Sequence, residues 1–179
     1  EISCSLVGSE MCIRDSHYMG LLNSERLNQI LEKYDLEVNF YLHAKFQEYA
    51  DTFKSISKRI HLISFGEVAV NEMLMRCRML ITDYSSVCWD ILYQDKPSLF
   101  YQFDIEKYNE AHGSYIDMET ELFGDRAATQ EQLLDYLEET VQNDFHLKPE
   151  YEKMRGEYLQ FKDHEHSRHI CEEIKKRFH

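Results

Sequence analysis

The chain has 179 residues, enough for one domain with its own core, and 43% of them are hydrophobic and 13% aromatic, which excludes a disordered chain. Against 33 Asp and Glu stand only 20 Lys and Arg, a net charge of −13, and that balance excludes nucleic acid as a partner over the whole surface. No apolar run reaches the roughly 18 residues a membrane-spanning helix needs.

The start, EISCSLVGSEMCIRDS, has no basic segment followed by an apolar one, so it is not a signal peptide. Its Met11-Cys12-Ile13-Arg14-Asp15 looks like the translated end of a transposon adaptor used in sequencing libraries. Residues 1–16 are therefore set aside as an artefact, the alternative being a native loop or strand, and residues 17–179 are taken as the domain. The acidic balance survives their removal. Asn23 is expected to cap a helix to about Tyr34, with Leu27, Ile30 and Leu31 on one face, and Asp35 to break it. Leu36 to Leu42 reads as a strand, Lys45 to Phe53 as a helix, Ile60 to Ile63 as a second strand and Glu67 to Arg76 as a helix. Met79 to Thr82 is a continuous apolar strand of the kind buried on both faces of a parallel sheet. Ser85 or Ser86 caps a helix from Val87 to Tyr93, Lys96-Pro97 ends it, and Ser98 to Tyr101 is another buried strand. Residues 104–125 form an aromatic and acidic loop. Helices follow at Thr129 to Val141, Pro149 to Phe161 and Ser167 to Phe178; Thr129 and Gln132 form a capping box, and Pro149 suits a first turn. Strands alternating with helices predict an α/β fold, a Rossmann-like parallel sheet with helices on both faces, followed by C-terminal helices.

The five cysteines (Cys4, Cys12, Cys77, Cys88 and Cys171) have no metal-ligand spacing and fit a reducing cytosol. The strongest chemical signal is Leu80-Ile81-Thr82-Asp83-Tyr84-Ser85-Ser86-Val87, where a buried strand ends and a helix begins behind two hydroxyls. Ligands of such sheets bind beyond the carboxyl ends of the strands, and a helix start with free N–H groups suits a phosphate. Ser85 and Ser86 are donors to such a phosphate, or one of them is merely a cap. Asp83 is read as fixing the turn by accepting backbone N–H bonds. His43, just past a strand on the same edge, is a phosphate donor or proton carrier, or an ordinary surface histidine. His112-Gly113-Ser114-Tyr115-Ile116-Asp117 is a lid or pocket wall, or a solvated loop. His164, His166 and His169 lie close together, but with no cysteine near them a metal site is disfavoured. Arg168 is a further phosphate contact at a helix start. Gly-rich phosphate loops, Gly-x-Ser-x-Gly and Cys-x-x-Cys are absent from the sequence.

The motif Ile81 to Val87, with Trp89-Asp90, Asp95-Lys96-Pro97, Leu99-Phe100-Tyr101 and Asp104, resembles the CDP-glycerol glycerophosphotransferases of teichoic acid synthesis. Leu42-His43, Gly113 to Asp117, Phe123-Gly124 and Asp163 to Arg168 fit the same family in order, with Asp125 in place of a usual proline and His164 in place of a glycine. The resemblance implies the C-terminal, donor-binding half of a GT-B-type glycosyltransferase fold. It implies transfer of glycerol phosphate from CDP-glycerol to a hydroxyl of a lipid-linked glycerol-phosphate acceptor, with release of CMP. No cofactor and no metal are implied. Ser85, Ser86, His43 and Arg168 would hold the donor phosphates, His43 would be catalytic, and Tyr115 and Asp117 would line the nucleotide. The implied setting is bacterial, with the full-length protein peripherally bound at the cytoplasmic face of the plasma membrane. The family's acceptor domain and its H-G-T motif are not found in this sequence. Rival readings are a ribitol-phosphate transferase, a nucleotide-sugar glycosyltransferase on the same fold, and a non-catalytic nucleotide- or phosphate-binding fragment. A phospho-receiver is disfavoured, because Asp83 and Lys96 are only thirteen residues apart.

Overall fold

A computed structural model describes residues 2–5, 11–41, 57–111, 113 and 116–178. Six strands make one wholly parallel sheet in the order β3-β2-β1-β4-β5-β6. They are β1 (Ile2–Ser5), β2 (Val38–Tyr41), β3 (Ile60–Ile63), β4 (Met79–Thr82), β5 (Ser98–Tyr101) and β6 (Asp125–Ala127). The helices are α1 (Met11–Leu22), α2 (Glu25–Lys33), α3 (Val70–Arg76), α4 (Val87–Tyr93), α5 (Ile105–Ala111), α6 (Gln130–Gln142), α7 (Pro149–Tyr158) and α8 (His166–Phe178).

Alternation along the strands sorts the core into two faces. Met79, Ile81, Leu99 and Tyr101 meet Leu27, Ile30 and Leu31 of α2 and Leu133, Leu134 and Leu137 of α6. Leu80 and Phe100 point the other way, to Leu74 of α3, Ile91 and Leu92 of α4, and Phe123. All four residues of β4 and of β5 are buried, which is why both read as unbroken apolar runs.

Several boundaries differ from the sequence reading. Ser24, not Asn23, caps α2: its hydroxyl accepts from the Leu27 N–H at 3.3 Å. The Asn23 amide donates back to the Met19 carbonyl at 2.9 Å and closes α1 instead. Asp35 does end α2, in the left-handed region at φ 52°. Helix α3 begins at Val70, because Ser64 to Glu67 is a turn in which the Ser64 N–H donates to the Glu67 carboxylate. Thr129 caps α6 through the Gln132 N–H, and the Gln132 side chain reaches back to the Ala128 N–H. The expected loop at 104–125 contains α5 and runs into β6. The region set aside at the start contributes β1, which pairs with β2 on one side and β4 on the other. Such pairing is made by main-chain groups and is open to any short run of extended residues. The helix expected at Lys45 to Phe53 lies outside the described residues.

The Asp95-Lys96-Pro97 turn is a knot between elements. The Lys96 ammonium donates to the Leu74 and Met75 carbonyls at 2.7 and 2.8 Å, closing the C-terminal end of α3. Asp95 is in the left-handed region and pairs with Arg155 of α7 at 2.7 Å and with Lys162.

Candidate functional site

Strand order reverses between β1 and β4, the switch point where doubly wound sheets bind ligands beyond the carboxyl ends of their strands. The Asp83–Ser86 turn leaves β4 there and lines a cavity of about 370 Å³. Trp89 and Cys88 of α4, Phe100 of β5, Tyr108 of α5, and Ile116, Met118 and Leu122 complete much of its wall. The wall is largely aromatic and apolar, and among the described residues lining it there is no lysine, arginine or histidine.

Asp83 is 1% exposed, and its Oδ1 accepts from the Tyr84 N–H at 2.7 Å. Its carbonyl accepts from the side-chain amide of Gln102, at the end of β5, at 3.0 Å. The turn is therefore held from both of the central strands that meet at it. Ser85 is buried, and its hydroxyl oxygen accepts from the Val87 N–H at 3.5 Å, which leaves its proton available to another acceptor. Ser86 is exposed, occupies the N-cap position of α4 and makes no side-chain cap bond. The Cys88 and Trp89 N–H groups donate to the Ser85 and Ser86 carbonyls. The Val87, Cys88 and Trp89 amides are thus engaged within the turn, while the residues that carry the two hydroxyls line the cavity. Burial pushes the Cys88 thiol up to about 12, so it lines the cavity as an apolar group.

Tyr84 lines the cavity. Its hydroxyl donates to Asp104 at 2.8 Å, and its ring lies on that of Tyr108 with centroids 3.6 Å apart and planes 4° off parallel. These two tyrosines were not singled out as site residues by the sequence. The signal was present for Tyr84, which stands inside the strand-end motif, whereas Tyr108 reaches the cavity only through α5.

The remaining expected residues fall elsewhere. His43 and Tyr115 lie outside the described residues. Strands β2 and β4 both end in register with Ser5, so their carboxyl ends share one edge at about two strand spacings, roughly 10 Å. Asp117 is exposed and closes a turn: its carboxylate accepts from the Glu119 and Thr120 N–H groups at 2.7 and 3.3 Å. Those bonds hold it below the usual carboxylate range, and Asp117 is not among the residues lining the cavity, though its neighbours Ile116 and Met118 are. Arg168 is exposed on α8, paired with Glu165 at 2.6 Å and Glu172 at 3.0 Å, and is not among the lining residues. A phosphate would have to draw it out of both pairs. His169 pairs with Asp163 and stacks on Phe161, while His166 meets the Tyr93 hydroxyl, so these two histidines serve separate contacts. Among the described residues no helix is long and apolar enough to cross a membrane.

A six-stranded parallel sheet with a ligand-sized cavity at its switch point defines a Rossmann-like α/β domain. Its backbone matches the wall teichoic acid polymerase TagF with a TM-score of 0.68 at 19% identity, over 99% of this chain and 44% of that one. A putative UDP-N-acetylglucosamine 2-epimerase from Listeria monocytogenes matches with a TM-score of 0.60 at 20% identity, over 99% of this chain and 45% of that one. The domain has the fold found in GT-B glycosyltransferases and TagF. Residues 8–176 match the family described as CDP-Glycerol:Poly(glycerophosphate) glycerophosphotransferase, and the chain belongs to that family. The teichoic acid glycerol-phosphate transferase of Staphylococcus aureus is 28% identical over 146 residues, 79% of this chain and 34% of that protein. The minor teichoic acid biosynthesis protein GgaB of Bacillus subtilis is 25% identical over 150 residues, 83% of this chain and 16% of that protein. The teichoic acid poly(ribitol-phosphate) polymerase of Bacillus spizizenii is 33% identical over 96 residues, 54% of this chain and 14% of that protein. The chain therefore spans well under half the length of the relatives it matches.

Proposed function

We propose that residues 17–179 form the donor-binding domain of an enzyme that moves glycerol phosphate from CDP-glycerol to a hydroxyl of a lipid-linked acceptor in teichoic acid synthesis. Residues 1–16 are assigned to adaptor sequence, whose backbone fills the β1 position. The observation that carries the reading is the pair of hydroxyls, Ser85 and Ser86, in the wall of a largely apolar cavity beyond the carboxyl end of β4. The largely aromatic and apolar lining suits a nucleoside, and the two hydroxyls suit its phosphates. Family membership supports the reaction class, and the fold is shared with a TagF structure soaked with CDPG.

In this reaction the acceptor hydroxyl attacks the phosphorus that carries glycerol. The bond from that phosphorus to the bridging oxygen breaks, and CMP leaves. His43 is assigned to take the hydroxyl proton. The hydroxyls steady the charge that builds on the phosphates, a task for preorganised donors. The acceptor and peripheral attachment to the cytoplasmic face of a bacterial membrane belong to the whole protein and follow from the same reading.

Calorimetric titration of the whole chain with CDP-glycerol, with CDP-ribitol and a UDP-sugar as controls, tests the assignment. Selective binding of CDP-glycerol, weakened about tenfold or more in Ser85→Ala, is expected, since one hydrogen bond to a charged group contributes about 1.5–3 kcal/mol. Undiminished binding by the Ser85→Ala protein removes Ser85 from the site. A preference for CDP-ribitol favours the second reading, a ribitol-phosphate transferase, which the Bacillus spizizenii relative supports.

A further inference from the structure

We propose that Tyr84 and Tyr108 are the two jaws of a clamp for the nucleobase, closed on each other in this structure. The inference rests on the nucleotide-donor reading of the cavity and names the residues that would grip the base. Both rings line the cavity, and they lie nearly parallel with centroids 3.6 Å apart. Aromatic pairs ordinarily settle offset or edge to face, because the negative faces of two rings repel; near-superposed parallel rings are the geometry in which a planar guest would be held between them.

The two jaws are anchored differently. Tyr84 belongs to the turn leaving β4, which Gln102 and Asp83 brace, and its hydroxyl is fixed by Asp104. Tyr108 sits one helical turn beyond Asp104, on α5, and not one side chain of α5 is buried. Gly113, at φ 67°, lies two residues past the end of that helix. Helix α5 can therefore tilt about its Asp104 end without breaking any core packing. Separating the rings by a further ~3.5 Å, one carbon–carbon contact distance, admits a base. The phosphates of the same nucleotide would then lie toward Ser85 and Ser86 on the turn that carries Tyr84.

Binding of CMP, and separately of pyrophosphate, to the whole chain tests the clamp, with calorimetry and the fluorescence of Trp89, the only tryptophan and a cavity residue, as readouts. Stacking of one base on an aromatic side chain sets the scale. Tyr108→Ala is expected to weaken CMP roughly 5- to 150-fold, and Tyr108→Phe to hold it within about twofold. Neither variant should alter pyrophosphate binding. CMP bound equally well by wild type and Tyr108→Ala overturns the clamp and leaves the phosphate site standing. Pyrophosphate bound without CMP by the wild type does the same. A folded wild type that binds neither overturns the donor reading and the clamp together. Equal weakening of CMP and pyrophosphate by Tyr108→Ala shows a loosened cavity and also overturns the clamp.

Discussion

A Cβ added to Gly124 would lie 2.1 Å from the Ser98 carbonyl oxygen and 2.9 Å from the Phe100 ring. The first of these contacts is with main chain in the middle of the sheet, which cannot swing aside. Gly124→Ala is therefore expected to destabilise the protein by about 3 kcal/mol, at the upper end of the range for overpacking, read as a fall in the urea midpoint with an unchanged slope. Cys88 and Cys171 make a second comparison at this scale. Cys88 is buried with its thiol raised to about 12 by desolvation, whereas Cys171 is exposed on α8. Iodoacetamide at pH 8 should label Cys171 and spare Cys88 in the native protein, as peptide mapping would show, because only thiolate reacts. Equal labelling of the two would mean that the cavity wall opens readily.

Helices α7 and α8 add no buried residue of their own, so their attachment depends on side chains that reach back to the body. Asp95 is a focus of that attachment. Desolvation raises its pKa, but Lys162 and Arg155 outweigh it, and the carboxyl titrates below its ordinary value. A depressed carboxyl stabilises the fold fully above the unfolded-state pKa, near 4, and loses that contribution as pH falls through the lower native value. Asp95→Asn, which tolerates the left-handed backbone, should loosen the C-terminal helices at pH 7 and make a smaller difference at pH 2. Amide exchange of α7 and α8 in the two proteins at the two pH values would check this. The same elements explain what could be read in advance. Strands β4 and β5 were legible because burial on both faces demands apolar runs. Strand β6 was not, since Asp125 and Arg126 carry no strand pattern and three residues suffice at a sheet edge. Helix α5 has no apolar stripe because it covers a cavity rather than a core. In the site, Asp83 to Ser86 stood out as hydroxyls after an apolar strand, while Phe100, Leu122 and Tyr108 join them only through the fold.

At the scale of the whole molecule, β1 is the shared neighbour of β2 and β4. Ser3 stands opposite Asn39 on one side and Leu80 on the other. Deleting residues 1–10 should leave a β2–β3 pair and a β4–β5–β6 sheet without their link. The expected result is a broadened thermal transition and increased binding of a hydrophobic dye. A single sharp transition, unshifted, would show that the two parts join without that strand. The arrangement also bears on the order of events in folding. β4, β5 and β6 can assemble through crossovers of modest length, and so can β2 and β3, but Ser3 must find Leu80 across about 77 residues of chain. Closing a loop of that length before any contact rewards it is slow. Refolding is thus paced by a late encounter between two preformed half-sheets. The cavity need not wait for that closure: its described lining comes from the turn after β4, from α4, β5 and α5 and from the segment leading to β6, all on one side of the seam, so the pocket can take shape in that half of the sheet before β1 joins the two.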